Sequence, residues 1–465
     1  MVYRISIFKE ERIAMAHNTQ RPYIREAERH HIRMTKLVHF THSTTKAAGA
    51  MLLAALAALA VANSPIYPEF LHFWHADVTF GMGQSVHTMS LAHIVNDVLM
   101  AIFFLLVGLE IKYEATAGAL TDVRQALLPA AAAVGGVLAP ITIFLIIAGG
   151  SEAASGWGVP SATDIAFALG ILALLGDRVP VGLKVFLSTL AVVDDIIAIL
   201  IIAVFYGEAP DFMWLLGAAL VLGILVMVNR RHIYSLVPYL TLGVLLWLCV
   251  FMSGVHSTIA GVLLAFTIPC RTQVGMSDFH DWGLEKLRKA EQAFDPDAPV
   301  VAQREFLDTV HELSKVTRQV IPPATRLERR LHPWVYFLIL PLFALTNADV
   351  CLIDGTLGNP FANPAFFGVF FGLVLGNPIG IMLVSFIMVK LKLVDLPEGV
   401  TWGHMLGAAV LAGVGFTMSI FVANLAFVDA ATITVAKVAI LSGSTVAGVA
   451  GFIILFLQND KKGRG

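Results

Sequence analysis

Apolar stretches of about 20 residues, the length that carries an α-helix across the hydrocarbon core of a bilayer, recur from Ala47 almost to the end of this 465-residue chain. Inside hydrocarbon every backbone N–H and C=O must find its partner within the protein, which makes helices the spanning element for runs of this length. Composition agrees, since 57% of the residues are hydrophobic and 14% are charged, against roughly a quarter charged in an average soluble domain. The expected fold class is an all-α polytopic membrane protein whose main partner is the lipid bilayer.

Reading the apolar runs between Gly, Pro and charge places twelve transmembrane helices at 47–64, 90–111, 125–148, 160–176, 182–206, 212–228, 236–253, 255–269, 333–347, 365–389, 404–427 and 433–457. The basic residues test this parse, because cytoplasmic loops hold Lys and Arg while outward loops exclude them. With the N-terminus inside, thirty of the 31 Lys and Arg fall in segments expected to be cytoplasmic. Only Lys437, near the outer end of the last span, is left over. Outward loops carry Glu69, Asp77, Glu152, Glu208, Asp211, Asp349, Asp354 and Asp429 instead.

This predicts a cytoplasmic extension over 1–46, spans one to eight over 47–269, a charged cytoplasmic loop over 270–330, spans nine to twelve over 331–458, and a cytoplasmic tail over 459–465. The extension lacks the pattern of a signal peptide. The charged loop holds ten basic and ten acidic residues, and the spacing of Phe306, Val310, Leu313 and Val316 predicts an amphipathic helix within a solvated connector. A net charge of -2 offers no basic face for nucleic acid. Cys249, Cys270 and Cys351 lie too far apart for a metal or disulfide framework and are expected to be packing residues. No cofactor is expected.

From Val185 to Phe205 the only charged residues are Asp194 and Asp195. An ionisable side chain at mid-membrane costs roughly 2.5–3.5 kcal/mol on insertion scales, so each demands a reason. Adjacent helix positions point about 100° apart, so the two cannot both face lipid and at least one must line a cavity. Like charges this close resist ionising together, and a proton or a small cation must compensate them. Hard carboxylate oxygens suit either, and a site that holds one or the other is an exchanger in miniature.

Two spans are interrupted. Pro160-Ser161-Ala162-Thr163-Asp164 breaks one, and Ala412-Gly413-Val414-Gly415-Phe416-Thr417 breaks another. They fall in the middle helix of two three-span groups, third to fifth and tenth to twelfth, which the loop charges give opposite orientation. Inverted repeats containing broken helices that cross at mid-membrane place an ion site at the crossing. Asp164 there would neutralise the positive ends of the facing half-helices.

The run NDVLMAIFFLLVGLE from Asn96, ATDIAFALG from Ala162, VDDI from Val193, SGVHSTIAG from Ser253, LHPW from Leu331 and GFTMSIF from Gly415 together resemble the bacterial NhaA family of Na+/H+ antiporters. That family is itself one of the known cases of inverted-repeat architecture. The resemblance covers roughly residues 45–457, in order. It implies a pH-regulated secondary transporter, not an enzyme, that exchanges Na+, and Li+, for H+ in the bacterial inner membrane, usually as a homodimer with contacts from the loop between the first two spans. It implies that Asp195 is the principal cation and proton carrier with Asp194 beside it, so that Na+ sits at Asp194 and Asp195. Thr163 and Asp164 border the site, and Gly413, Gly415, Thr417 and Asn377 line it. Glu110, Lys112, Glu114, Glu328 and His332 match a cytoplasmic-mouth cluster associated with pH response, and His256 a histidine linked to it. Three departures stand out. Asn377 occupies the place of a family lysine, Tyr113 and Arg329 replace an arginine and a histidine, and the loop over 270–330 is long. An intramembrane aspartyl protease would need a Gly-x-Gly-Asp element, of which Leu174-Leu175-Gly176-Asp177 lacks the first glycine. A sodium-coupled symporter or channel would share the ion site.

Overall fold

A computed structural model describes residues 43–82, 85–207, 210–272, 275–351 and 360–458. The expected extension before residue 43 and the tail from 459 lie outside the described residues. Among those described, eight helices are long and apolar enough to cross a bilayer: Thr45–Ala62, Leu91–Thr116, Gln125–Ala148, Glu152–Leu175, Val181–Phe205, Phe212–Arg230, Pro364–Lys390 and Ala430–Gln458. Trp402–Leu411 and Phe416–Ala426 add a span bent by 45° at the join. Leu236–Met252 and Thr258–Thr267 are shorter apolar helices. The second, at about 1.5 Å per residue, reaches only half way through a hydrocarbon core. The chain is a multi-pass helical membrane protein.

Local chemistry sets the element boundaries. Pro180, with φ -56° and ψ 142°, precedes the Val181–Phe205 helix, since proline supplies no N–H to an earlier turn. Because lipid tails are as apolar as leucine, helices in a membrane associate through close van der Waals fit rather than burial from water. Gly135 and Gly380 provide such a fit. A Cβ on either would collide with the other's backbone carbonyl, so only glycine lets the Val123–Ala148 and Asn377–Lys390 helices approach this closely.

Three expectations are corrected. The fold is not purely α, because the loop after the first span contains a short helix, Tyr67–Trp74, and an antiparallel hairpin of Asp77–Met82 with Ser85–Ser90, Asp77 opposite Ser90. The alternation of Val78, Phe80 and Met82 was its signal. The charged loop holds, besides the expected amphipathic helix at Arg304–Val320, a second at Met276–Ala293. Their ion pairs, Lys286 with Glu312 at 2.5 Å and Lys289 with Glu305 at 3.5 Å, run in opposite sequence directions and so make the pair antiparallel. Finally, the segment expected at 333–347 begins earlier. Its helix starts at Pro323, passes a π-helical turn at Val335–Ile339, and ends at Asn347. Similar π turns occur at Ile94–Leu99 and Gly372–Gly376. Such turns open the backbone ladder and recur at functional sites, and here they carry Asp97 and Tyr336 and directly precede Asn377.

Candidate ion site

The two interruptions touch each other. A 3-10 helix over Glu152–Ser161 gives way to extended backbone at Ala162 and Asp164 before the Ile165–Leu175 helix begins. On the other strand of the crossing, Leu411 and Phe416 flank the 45° bend. Breaking a helix frees backbone groups that hydrocarbon cannot satisfy, and several are answered across the crossing or from neighbouring helices. The Asp164 amide donates to Val414 O at 2.7 Å, the Thr163 hydroxyl to Ala412 O at 3.0 Å, and the Ser419 hydroxyl to Ala162 O at 3.0 Å. Asn377 Nδ2 donates to Pro160 O at 3.4 Å.

The freed amides are answered by acceptors. Asp164 Oδ1 accepts from Phe167 N at 3.1 Å, while Oδ2 accepts from Thr417 N at 3.2 Å and from the Thr417 hydroxyl at 2.5 Å. One carboxylate therefore caps both second half-helices, where aligned peptide dipoles favour negative charge. Ser444 Oγ accepts from Gly415 N at 3.2 Å and Phe416 N at 3.1 Å. A Cβ on Gly413 would strike Leu373 O and one on Gly415 would strike the Ser419 hydroxyl, so the second break tolerates no side chain at either position. The strain of the bend falls on Phe416, at φ 22°.

The carboxylate pair lies in the middle of the Val181–Phe205 helix beside this crossing. Asp194 and Asp195 are 3% and 5% exposed. They point differently, as adjacent helix positions must. Asp195 lines a narrow cavity of about 20 Å³ together with Thr163, Asp164, Thr417, Glu110 and Tyr336. That is room for roughly one water molecule. Asp194 instead lies beside Thr163, and its Oδ2 is buried without a partner among the described residues. Asp194, Glu110 and Asp164 are acids that lie near Asp195. Asn377, 1% exposed, carries no charge to offset them. Among the described residues no group of three or more His, Cys, Asp and Glu is arranged to hold a metal ion.

Of the residues grouped as a pH-responsive cluster, Glu110, Lys112, Glu114, Glu328 and His332 stay at one end of the bundle and His256 separates from them. Glu110 lies near Glu328 and Glu114, and Tyr336 stands among Glu110, Asp195, Asp164 and Glu328. His332 packs its ring against Tyr336, centroids 4.3 Å apart. Acids thus run from the cavity toward the basic-loop end. Glu328, on the charged helix ahead of the apolar segment, is pushed above the usual carboxylate range by burial, with Arg329 opposing. Two members serve the backbone instead. Lys112 Nζ donates to Phe266 O at 2.8 Å and to the carbonyls of Ala265 and Ile268, closing the end of the Thr258–Thr267 helix, and Glu114 Oε2 accepts from Ala119 N at 2.8 Å. His256 sits at the opposite end, its Nε2 2.5 Å from Tyr206 O, near Asp97, which accepts from the Ser257 hydroxyl at 3.2 Å. Sequence reasoning missed Tyr336, Ser419 and Ser444. Each is an ordinary residue within an apolar span, with no local signal beyond a hydroxyl.

Crossed half-helices whose ends are mutually capped, beside a buried acid pair of which one member faces a one-water cavity, are the apparatus of a secondary transporter for small cations. Comparison with known proteins makes the class specific. The chain matches the family described as Na+/H+ antiporter 1 over residues 38–455. It is 42% identical over 429 residues to the Na(+)/H(+) antiporter NhaA of Wolinella succinogenes, covering 91% of this chain and 93% of that protein. Against the Na(+)/H(+) antiporter NhaA of Oleidesulfovibrio alaskensis the identity is 45% over 408 residues, 88% of this chain and 90% of that one. For the protein so named in Helicobacter pylori strain G27 it is 43% over 413 residues, 88% and 93%. The chain belongs to the NhaA-type Na+/H+ antiporter family, a family of transporters and not of enzymes.

Proposed function

We propose that this chain exchanges Na+, and Li+, for H+ across the bacterial inner membrane, and that Asp195 carries the ions. The observation that supports this most directly is the Asp195 carboxylate, 5% exposed, facing a cavity of about 20 Å³ whose other polar walls are Asp164, Thr163, Thr417, Glu110 and Tyr336. With Asp195 itself, three acids line one small volume, and a bound proton or cation would compensate them. Oxygen donors of this type suit a hard cation. A proton or a sodium ion can supply the charge, and mutual exclusion at Asp195 couples them. Asp164, engaged with two half-helix ends, holds the crossing rather than carrying ions, and Asp194 shares the site through Thr163.

Support for the wider reading is of the same kind. Twelve spans with both termini cytoplasmic account for the loop charges, and inverted repeats over spans three to five and ten to twelve account for two crossing breaks. Acids from Glu328 through Glu110 line a cytoplasmic route, whose ionisation would tie activity to pH. The hairpin after the first span offers an edge for a homodimer. Sodium- or lithium-driven proton flux in everted vesicles across a pH series is the test. The reading requires flux that rises from acid toward alkaline pH, because protons compete for the carrier and must leave first, and that is absent in Asp195→Asn. Normal flux in that variant sinks it.

A further inference from the structure

Lys437 was the one basic residue that the loop-charge rule left on the outward side. It pairs with Asp349 at 2.9 Å, each side chain 12% exposed, and Asp349 also accepts from the Tyr67 hydroxyl at 3.4 Å. Half-buried and hydrogen-bonded on both sides, this pair differs from a solvated surface pair, which contributes little. Its members come from different parts of the bundle. Asp349 follows the Leu340–Asn347 helix, which packs on the first span, whereas Lys437 lies in the Ala430–Gln458 helix, which packs on the broken span and whose Ser444 caps the break. Just beneath, Asn347 Nδ2 donates to Asn96 Oδ1 at 2.8 Å and Asn347 Oδ1 accepts from Asn424 Nδ2 at 2.8 Å, joining the same two parts. Beyond Asp195 on its helix, Ile199 and Ile202 join Phe104, Thr258, Ile259 and Val262 around a space with no room for water. The opposite face has the run of acids described above.

We propose that Lys437 and Asp349 form a latch that holds the outward face closed while the ion site is served from the cytoplasmic side, and that the pair separates when the broken-helix part moves to open the site outward. This rests on the exchanger reading, in which access alternates by movement of one part against the other. A latch differs from a static brace in what its loss does. Removing a contact made only in the inward-facing state shifts the population toward the outward-facing one, without affecting the ion site itself.

The test uses the full chain in proteoliposomes, with Cys249, Cys270 and Cys351 replaced by Ser and Ile202→Cys as reporter. Ile202, 2% exposed, is seven residues beyond Asp195 and on the same helix face. A membrane-impermeant thiol reagent applied from the outward face should label it at least about five-fold faster in Lys437→Met or Asp349→Asn, as expected for a coupling at the low end of the usual range. The charge-swapped pair, Lys437→Asp with Asp349→Lys, should return labelling toward the reporter background. Unchanged labelling in the single variants overturns the latch, and so does labelling that stays fast in the swapped protein, which would show loosened packing. If the single variants do not fold, the swapped protein alone decides by the same readings. Asp195→Asn with the reporter separates the two ideas, since flux reports the carrier while labelling reports the latch.

Discussion

The two breaks that cross at the ion site are built on different chemistry. In the first, a carboxylate at the N-terminal cap, Asp164, accepts from its own half-helix and from Thr417 of the other. In the second, glycines at 413 and 415, a strained Phe416 and the neutral hydroxyl of Ser444 do the work. One charge therefore compensates two dipole ends, and the second break needs none. Had each break carried its own acid, four carboxylates would crowd the cavity with nothing to neutralise them. With Asp164 engaged with the helix ends, Asp195 is the group proposed to exchange ions.

Removing the charged cap and the neutral one should have unequal effects. Asp164→Asn takes away the charge serving both half-helices and leaves Thr417 with a poorer acceptor, and charge-assisted hydrogen bonds are lost at about 1.5–3 kcal/mol each. Thermal unfolding should fall markedly and flux should collapse. Ser444→Ala removes a neutral cap at about 1 kcal/mol, and should keep measurable flux with a modest loss of stability. Equal losses in the two variants would erase the distinction between the breaks.

Asn377 sharpens the comparison from the side, because it offers the carbonyl of Pro160 a hydrogen bond but brings no charge. With Asp195 as the sole carrier, the proposed cycle exchanges one Na+ for one H+. Proteoliposomes with equal sodium and pH on both sides, given a potassium diffusion potential, should then show no sodium uptake. A charge-moving cycle would gain about 2.3 kcal/mol per charge per 100 mV, so uptake driven by voltage alone contradicts the electroneutral account. Asn377→Lys is the variant expected to introduce it.

The smallest effect is expected at Glu328. Burial holds its proton to higher pH than a free glutamate does, so it is neutral in acid and gains negative charge as pH rises, adding attraction for cations at the route's entrance. Glu328→Gln should match the parent protein in acid and fall behind, by less than about ten-fold, only above the pH at which the parent's Glu328 ionises. A deficit that is the same at every pH would assign Glu328 a packing role.

What was legible in the sequence and what was not follows from how far each signal reaches. Spans were visible because hydrocarbon demands continuous apolar runs, and both breaks were visible because Pro160, Gly413 and Gly415 interrupt them. The partners of the freed backbone groups were not, since Ser419 reaches a carbonyl 257 positions away and Ser444 an amide 29 away, neither at a helical spacing. The acid pair announced itself by cost, while the division of labour between Asp194 and Asp195 depended on which way each points. Lys112 was grouped with the mouth and His256 with the pH response by resemblance. That Lys112 also caps the carbonyls of a neighbouring helix end, and that His256 lies at the far end, had no signal in sequence. The hairpin at 77–90 was missed because two short strands in a loop carry only a weak alternation beside spans of about 20 residues.

The central claim is that a proton and a sodium ion exclude each other at Asp195. It is tested most directly by adding sodium to purified protein in weakly buffered detergent solution and recording protons released as pH is varied. The account predicts saturable proton release in the parent protein and none in Asp195→Asn. Sodium binding by the parent protein with no proton release, or undiminished release from Asp195→Asn, would contradict it.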